Sequence, residues 1–429
     1  MKTLTEEKTE RTARNTGLWT HKNFLHLWAG QSISLLGSQV TQLALPLTAV
    51  VTLQATAFQM GLLNAFSTLP TLLIGLLVGV WIDRLRRRPL LIIADLVRAI
   101  LLGSIPLAFF LHVLSLPYLY VIAFCTGGLT LFFDVAHMSL LPSIVSPEQI
   151  VDGNSKLETS RSAAWILGPG LAGWLIQLVS APVAICVDAI SFLASALFIS
   201  RVDIAEKPRQ QQERRPASIR ADLKEGLLIV VQDRILRTLA LSTATFNFFS
   251  SIIDAVYLLY IMRELHFMPS SIGFILAIGS LGFPFGALLA GTASKYFGIG
   301  KAIIWSAAIS DLAFLLILFA SSTSMLSFSF LVVAKIITTF TGPITAINQL
   351  SLRQMATPDK LLGRVNGTMR FIVQCIYPMG ALLAGIAGTV IGLRPTLFIG
   401  IVGIQFGFII LLLSPVILRM DTKAGERYA

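Results

Sequence analysis

Twelve apolar stretches of roughly twenty residues, nearly empty of Lys and Arg and joined by short polar connections, fill the chain from residue 23 to residue 418. At 1.5 Å of rise per residue, such a stretch matches the ~30 Å hydrocarbon core of a bilayer. Inside lipid the backbone must satisfy its own polar groups, so each stretch reads as a helix. The spacing predicts an all-α, polytopic membrane protein with spans over 23–50, 58–81, 90–111, 117–141, 160–180, 182–200, 238–262, 270–294, 301–320, 326–350, 366–391 and 395–418. With 55% hydrophobic and 13% charged residues and a mean hydropathy of +0.78, the composition excludes an ordinary soluble domain.

The formal net charge of +11 is topological. All Lys and Arg other than Arg98, Arg263, Lys335 and Arg394 lie in or beside the N-terminus, the even-numbered loops and the C-terminal tail. This asymmetry predicts both termini in the cytoplasm and argues against a nucleic-acid surface. The polar first 22 residues precede a long apolar stretch without a short signal-like core, so no cleaved signal peptide is expected. Cys125, Cys186 and Cys375 sit in spans at unrelated spacings and indicate neither a disulfide framework nor a metal site. The chain also lacks a phosphate-cradling glycine run and a Ser/His/Asp arrangement at a span end, so the sequence reads as a non-enzyme without cofactor or metal.

The one long polar connection, 201–237, divides the spans six and six. The predicted organisation is a cytoplasmic segment 1–22, a six-helix bundle 23–200, the linker 201–237, a second bundle 238–418 and a tail 419–429. Within the linker Ile219, Leu223, Leu227 and Val230 recur at helical spacing behind Ser218, a plausible cap. This reads either as an amphipathic helix on the membrane surface or as a solvated linker helix. The bundles repeat at an offset of 212: Gly79–Asp83 falls on Gly291–Lys295, Asn154 on Asn366, and Gly168 and Gly173 on Gly380 and Gly385. An even number of spans per copy gives both one orientation, with a site expected between them at mid-membrane.

After the second span the chain reads Gly79-Val-Trp-Ile-Asp83-Arg84-Leu-Arg-Arg87-Arg88. An acid beside four arginines on a short cytoplasmic turn suits an interdomain clasp, with plain positive-inside anchoring as the alternative. This stretch resembles the loop signature of the major facilitator superfamily, G-x-L-A-D-R-x-G-R-K, departing from it at Trp81 and Arg86. Trp28-Ala-Gly-Gln31, Ala94-Asp95-Leu-Val-Arg98-Ala99, Asp188-Ala-Ile-Ser-Phe192 and Leu361-Leu-Gly-Arg364-Val365 resemble the macrolide-efflux and enterobactin-exporter branch. Gly168-Pro169-Gly-Leu-Ala-Gly173 in span five is similar to the superfamily's antiporter motif. Small residues there permit close helix packing and Pro169 a bend, whether for gating or for packing alone. The resemblance implies the facilitator fold and a clasp of Gly79, Asp83, Arg84, Arg87 and Arg88.

Ionisable and polar groups inside spans are candidates for function, because each is expensive unless paired or wet. Asn247, Asp254 and Tyr257 share a face of span seven; Lys335 and Thr338 a face of span ten; Arg370, Gln374 and Tyr377 a face of span eleven; Gln31 and Gln42 a face of span one. In facilitators these four spans line the central cavity. Asp254 and Lys335 lie ~24 Å and ~22 Å from the cytoplasmic ends of their helices, so they are expected at one level as a buried pair, either coupling or structural. Arg98 and Asp134 are expected at one lower level, with Asp95 and His137 nearby, as a proton relay or a structural network. Asp188 and Asp311 read as helix-packing groups, and Phe246, Phe249 and Tyr260 of span seven as candidate aromatic walls.

By resemblance, the chain is expected to be a secondary transporter in a bacterial inner or plasma membrane. The expected activity is proton-coupled export of a drug-like, macrolide-like or siderophore-like amphipathic compound. The expected partners are a small-molecule substrate, protons and membrane lipids, with no nucleic acid, and the chain is expected to be a monomer. A lipid or lysolipid flippase, or an uptake facilitator, is the alternative within the same fold.

Overall fold

Each apolar stretch forms a helix that runs on into the polar residues flanking it, so most helices are longer than the lipid-facing segment alone. The computed structural model describes residues 18–82, 85–146, 149–203, 219–358 and 361–418. Segments 1–17 and 419–429, the clasp residues Asp83 and Arg84, and Ser218 fall outside these. The helices are α1 (Lys22–Leu47), α2 (Ala57–Ile82), α3 (Arg87–Phe110), α4 (Leu116–Leu140), α5 (Ile150–Val179), α6 (Ala181–Ser200), α7 (Ile219–Gln232), α8 (Arg234–Leu259), α9 (Pro269–Ser280), α10 (Gly282–Phe297), α11 (Ile299–Phe319), α12 (Met325–Met355), α13 (Leu362–Val390), α14 (Leu393–Leu412) and α15 (Pro415–Leu418). Twelve spans are long and apolar enough to cross a membrane, α9 and α10 together making the eighth.

Capping explains where several begin. Asp233 Oδ1 accepts from the N–H groups of Ile235 and Leu236 at 2.9 and 2.8 Å, so α8 starts four residues before the predicted apolar edge. Ser324 caps α12 through the Ser327 N–H at 3.1 Å. The break in span eight has a cause in the sequence: Pro284 supplies no N–H to the Ser280 carbonyl, and its ring crowds it.

The linker helix α7 packs on α13, where Arg364 pairs with Glu225 at 2.7 Å and Gly226 lies against the Arg364 carbonyl. Val230 is buried, but Leu227, expected on the same apolar face, is about half exposed.

The repeat persists in the backbone. Span one ends in a π turn over Thr48–Thr52 and span seven in a π turn over Tyr260–Glu264, residue for residue at the 212 offset. The left-handed residues Gln54 and His266 (φ 52° and 56°) match in the same way, as do Ser180 and Gly392 (φ 84° and 93°). A conformation that L side chains rarely adopt, recurring at equivalent sites, is strong evidence for two copies of one fold.

Helices α1–α6 pack chiefly on one another, and α8–α14 do likewise. The principal contacts between the two sets are α2 on α13, α5 on α9, and a smaller one of α2 on α8. In lipid no hydrophobic drive separates helix from solvent, so such crossings depend on close backbone approach. A Cβ on Gly61 would stand 2.6 Å from the Ala381 carbonyl and one on Gly385 2.9 Å from the Phe58 Cα. Across the other crossing, a Cβ on Gly173 would stand 2.8 Å from the Gly273 Cα, and the converse distance is also 2.8 Å. Gly61 and Gly273 are repeat equivalents, as are Gly173 and Gly385. Both crossings lie near the helix ends opposite Lys22.

Candidate functional site

Between the two helix sets, adjoining the glycine crossings, lies a cavity of about 640 Å³, a size suited to a drug-sized molecule. Its walls come from α1, α2, α5, α8, α9, α10 and α12. Gln42, Asp254, Tyr257 and Lys335 line it. Asp254 is accessible to the cavity although it lies deep between helices, and its Oδ2 accepts a hydrogen bond from the Tyr377 hydroxyl of α13 at 2.9 Å. Lys335 is half-buried on α12, with its aliphatic stem pressed on Gly279, where a Cβ would approach the Lys335 Cγ to 2.2 Å. Lys335 acts electrostatically on Asp254, but the two form no ion pair within 4.0 Å. The expected direct pair is therefore replaced by a Tyr377–Asp254 hydrogen bond with the ammonium at longer range.

Several lining residues were not singled out from the sequence: Gln39, Asn64, Trp165 and Phe283. The repeat carries the signal that finds one of them. Gln42 is the equivalent of Asp254 and Trp165 the equivalent of Tyr377. The close contacts that seat these groups are also equivalent, with Gly168 against Gln39 and Gly380 against Ser251. Trp165 and Phe283 meet edge to face at 5.7 Å between ring centroids, joining α5 to α10. The aromatic wall comes from this pair and Tyr257. Phe249 instead packs on Phe406 and Gly403, and Tyr260 is buried with its hydroxyl on the Ala320 carbonyl.

The model of the Major Facilitator Superfamily matches residues 27–376. The chain belongs to the major facilitator superfamily. This facilitator is 27% identical over 374 residues to the multidrug efflux pump Tap of Mycolicibacterium fortuitum, covering 84% of this chain and 88% of that one. It is 24% identical over 372 residues to macrolide efflux protein A of Streptococcus pyogenes, covering 86% and 90%. Its fold is shared with the nucleoside transporter NupG at a TM-score of 0.72 and 13% identity, over 93% of this chain and 100% of that one. It is a multi-pass bacterial membrane transporter of a small molecule, not an enzyme.

The remaining predicted residues of the facilitator are dispersed. Among the described residues Gln31, Asn247, Thr338 and Arg370 do not line the central cavity. Gln31 is buried, Asn247 donates to the Thr243 carbonyl of its own helix at 2.8 Å, and Thr338 donates to the Lys335 carbonyl at 3.0 Å. Arg370 lines a second cavity of about 500 Å³ between α8, α12 and α13, with Arg353, Gln349 and Asn366. The side chain of Gln374 and the surroundings of Gly79 are outside the described ones. Of the proposed clasp, Arg88 donates to the Ser200 carbonyl at the end of α6, a cation on a helix C-terminus within its own helix set, and Arg87 makes contacts as well.

Gly168, Pro169 and Gly173 belong to the α5 surface that meets α1 and α9. In the lower polar group, Arg98 does not bridge to Asp134. It pairs with Asp95, one turn back on its own helix, because an i,i+3 partner needs no reach across to α4. Asp134 is exposed, and His137 is buried against Phe133 with no partner on Nε2.

Proposed function

We propose that this facilitator is a proton-driven exporter of an amphipathic, drug-like or macrolide-like compound, working by alternating access. The reading rests on an acid and a base, Asp254 and Lys335, that line one cavity between the two helix sets. Within that cavity the ionised Asp254 is held by the Tyr377 hydroxyl and by the Lys335 charge. A proton delivered to Asp254 weakens both interactions. Substrate and proton thus compete for one carboxylate, and linkage makes each expel the other. Trp165, Phe283 and Tyr257 supply faces for an aromatic or cationic ligand.

On this reading residues 23–200 and 238–418 are the two moving halves, and both termini and the 201–237 linker are cytoplasmic. The glycine crossings then seal the outer face, so the conformer described is the one that loads from the inside. The protein works as a monomer among lipids. The names of the relatives, a multidrug pump and a macrolide efflux protein, support the direction and the substrate class.

The test is reconstitution in liposomes with an imposed pH gradient, following a macrolide and a fluorescent cationic dye. The expected result is gradient-driven accumulation that Asp254→Asn abolishes. Equilibration without accumulation, whatever the gradient, overturns proton coupling. Movement of a labelled lysolipid but of neither drug overturns the substrate class.

A further inference from the structure

The first six spans bury a second ionisable group that the cavity does not use. Asp95 and Arg98 of α3 and Asp188 of α6 are 0%, 3% and 1% exposed. Arg98 pairs with Asp95 and reaches Thr130 Oγ1 at 3.4 Å. Its guanidinium is stacked between the rings of Phe133 and Phe192, at 4.4 and 4.1 Å. Asp188 Oδ1 accepts from Ser191 Oγ at 3.0 Å and from Ser38 Oγ of α1 at 3.4 Å. No cation stands within ion-pair distance of Asp188 among the described residues.

The groups facing Asp188 can be followed helix by helix. From α1 come the hydroxyls of Ser38 and Thr41, and from α3 the Arg98 charge that Asp95 already occupies. Asp134 of α4 also acts on Arg98, but it is solvent-accessible and shares Arg161 and Arg370. The buried layer therefore holds one guanidinium and two carboxylates. Fully ionised, it carries an unbalanced negative charge away from water, which is strongly unfavourable. One proton removes that imbalance. Asp95 would lose its ion pair by taking it. Asp188 would lose only hydroxyl donors, which can rotate and accept instead.

The second half serves as an internal control. Its equivalents of Asp95, Arg98 and Asp188 are Ala307, Ser310 and Gly400, and the corresponding helices, α8, α11 and α14, pack there with no charged residue at these three positions. Its own buried acid, Asp311, falls one position out of this register. The scaffold does not need ionisable groups at these sites. Thr41 links the cluster to the transport path, since it lines the central cavity while its hydroxyl lies beside Asp188.

We propose that Asp188, buried near the Asp95–Arg98 pair and held only by hydroxyl donors, is a proton-binding site separate from the substrate cavity and holds one exchangeable proton. Its part in transport rests on the antiport reading above; its occupancy does not.

The experiment is infrared difference spectroscopy of the purified protein in lipid nanodiscs, in light and heavy water, with variants Asp188→Asn, Asp188→Glu, Asp95→Asn and Asp254→Asn. The expected result is a carboxylic-acid carbonyl band at neutral pH that shifts in heavy water. It should be lost in Asp188→Asn, displaced in Asp188→Glu and kept in Asp254→Asn. Should Asp188→Asn fail to fold, displacement in Asp188→Glu carries the assignment. A band that Asp188→Glu leaves in place, or that only Asp95→Asn removes, overturns it. A band assigned to Asp188 in a protein without pH-driven transport keeps this site and overturns antiport. Antiport without such a band overturns this site alone.

Discussion

The Tyr377 hydroxyl donates to Asp254 Oδ2 at 2.9 Å, joining α13 to α8 at a carboxylate that lines the cavity. A hydrogen bond to an ionised group contributes about 1.5–3 kcal/mol, more than a neutral one. It also favours the charged form of the carboxylate. In Tyr377→Phe the pH–rate profile of export is expected to move to higher pH by about one unit, with little change in dye affinity measured at high pH. A profile that does not move separates Tyr377 from the proton step.

Asp254 and Lys335 share the cavity without an ion pair within 4.0 Å, so their coupling is electrostatic and acts across the cavity. Neutralising either one leaves the other without its counter-charge. Asp254→Asn and Lys335→Met are each expected to lower the melting temperature in detergent, and the double variant to recover most of that loss. Accumulation against a gradient is expected to stay absent in the double variant. Retained accumulation would remove the pair from the coupling step.

The crossings at Gly61–Gly385 and Gly173–Gly273 leave no room for a side chain. Gly173→Val is expected to shift the population at least tenfold, about 1.4 kcal/mol, toward conformers open at that face. Spin labels at the facing ends of α2 and α13 should then report a longer distance. Because the crossings are repeat equivalents, Gly61→Val should have the same effect. Unchanged distances in both variants would mean that this face closes by other contacts.

Gly37 of α1 faces Ser191 of α6 so closely that a Cβ would stand 2.6 Å from the Ser191 Cβ. Gly37→Ala is expected to cost about 1–3 kcal/mol through overpacking, read as a lower melting temperature. Adding Ser191→Gly should restore much of it. The second half already contains that exchange, with the large Phe249 facing the small Gly403 at the equivalent positions.

The sequence made the twelve spans legible because hydropathy reports lipid contact directly, but it missed the first turns of α5 and α8 because those turns are polar and carry no hydropathy signal. The common level of Asp254 and Lys335 was legible because helical rise is fixed. Their actual partners were not, because rotation about each helix axis decides them. The polar stripe of span one shows this: Ser38 turns to Asp188 of α6, while Gln39 and Gln42 turn to the cavity. Arg98 and Asp134 failed as a pair for a different reason, a nearer acid on the same helix.

The matched π turns and left-handed residues have an evolutionary meaning. Such backbone irregularities are costly to invent twice, so they date from a single ancestral gene that was duplicated and fused. Since then the architecture has been kept while the chemistry diverged: Asp254 stands opposite Gln42, and Asp188 opposite Gly400. The descendants have specialised, and an engineered chain built from two identical copies of either half would inherit the shape of the parent without its polarity.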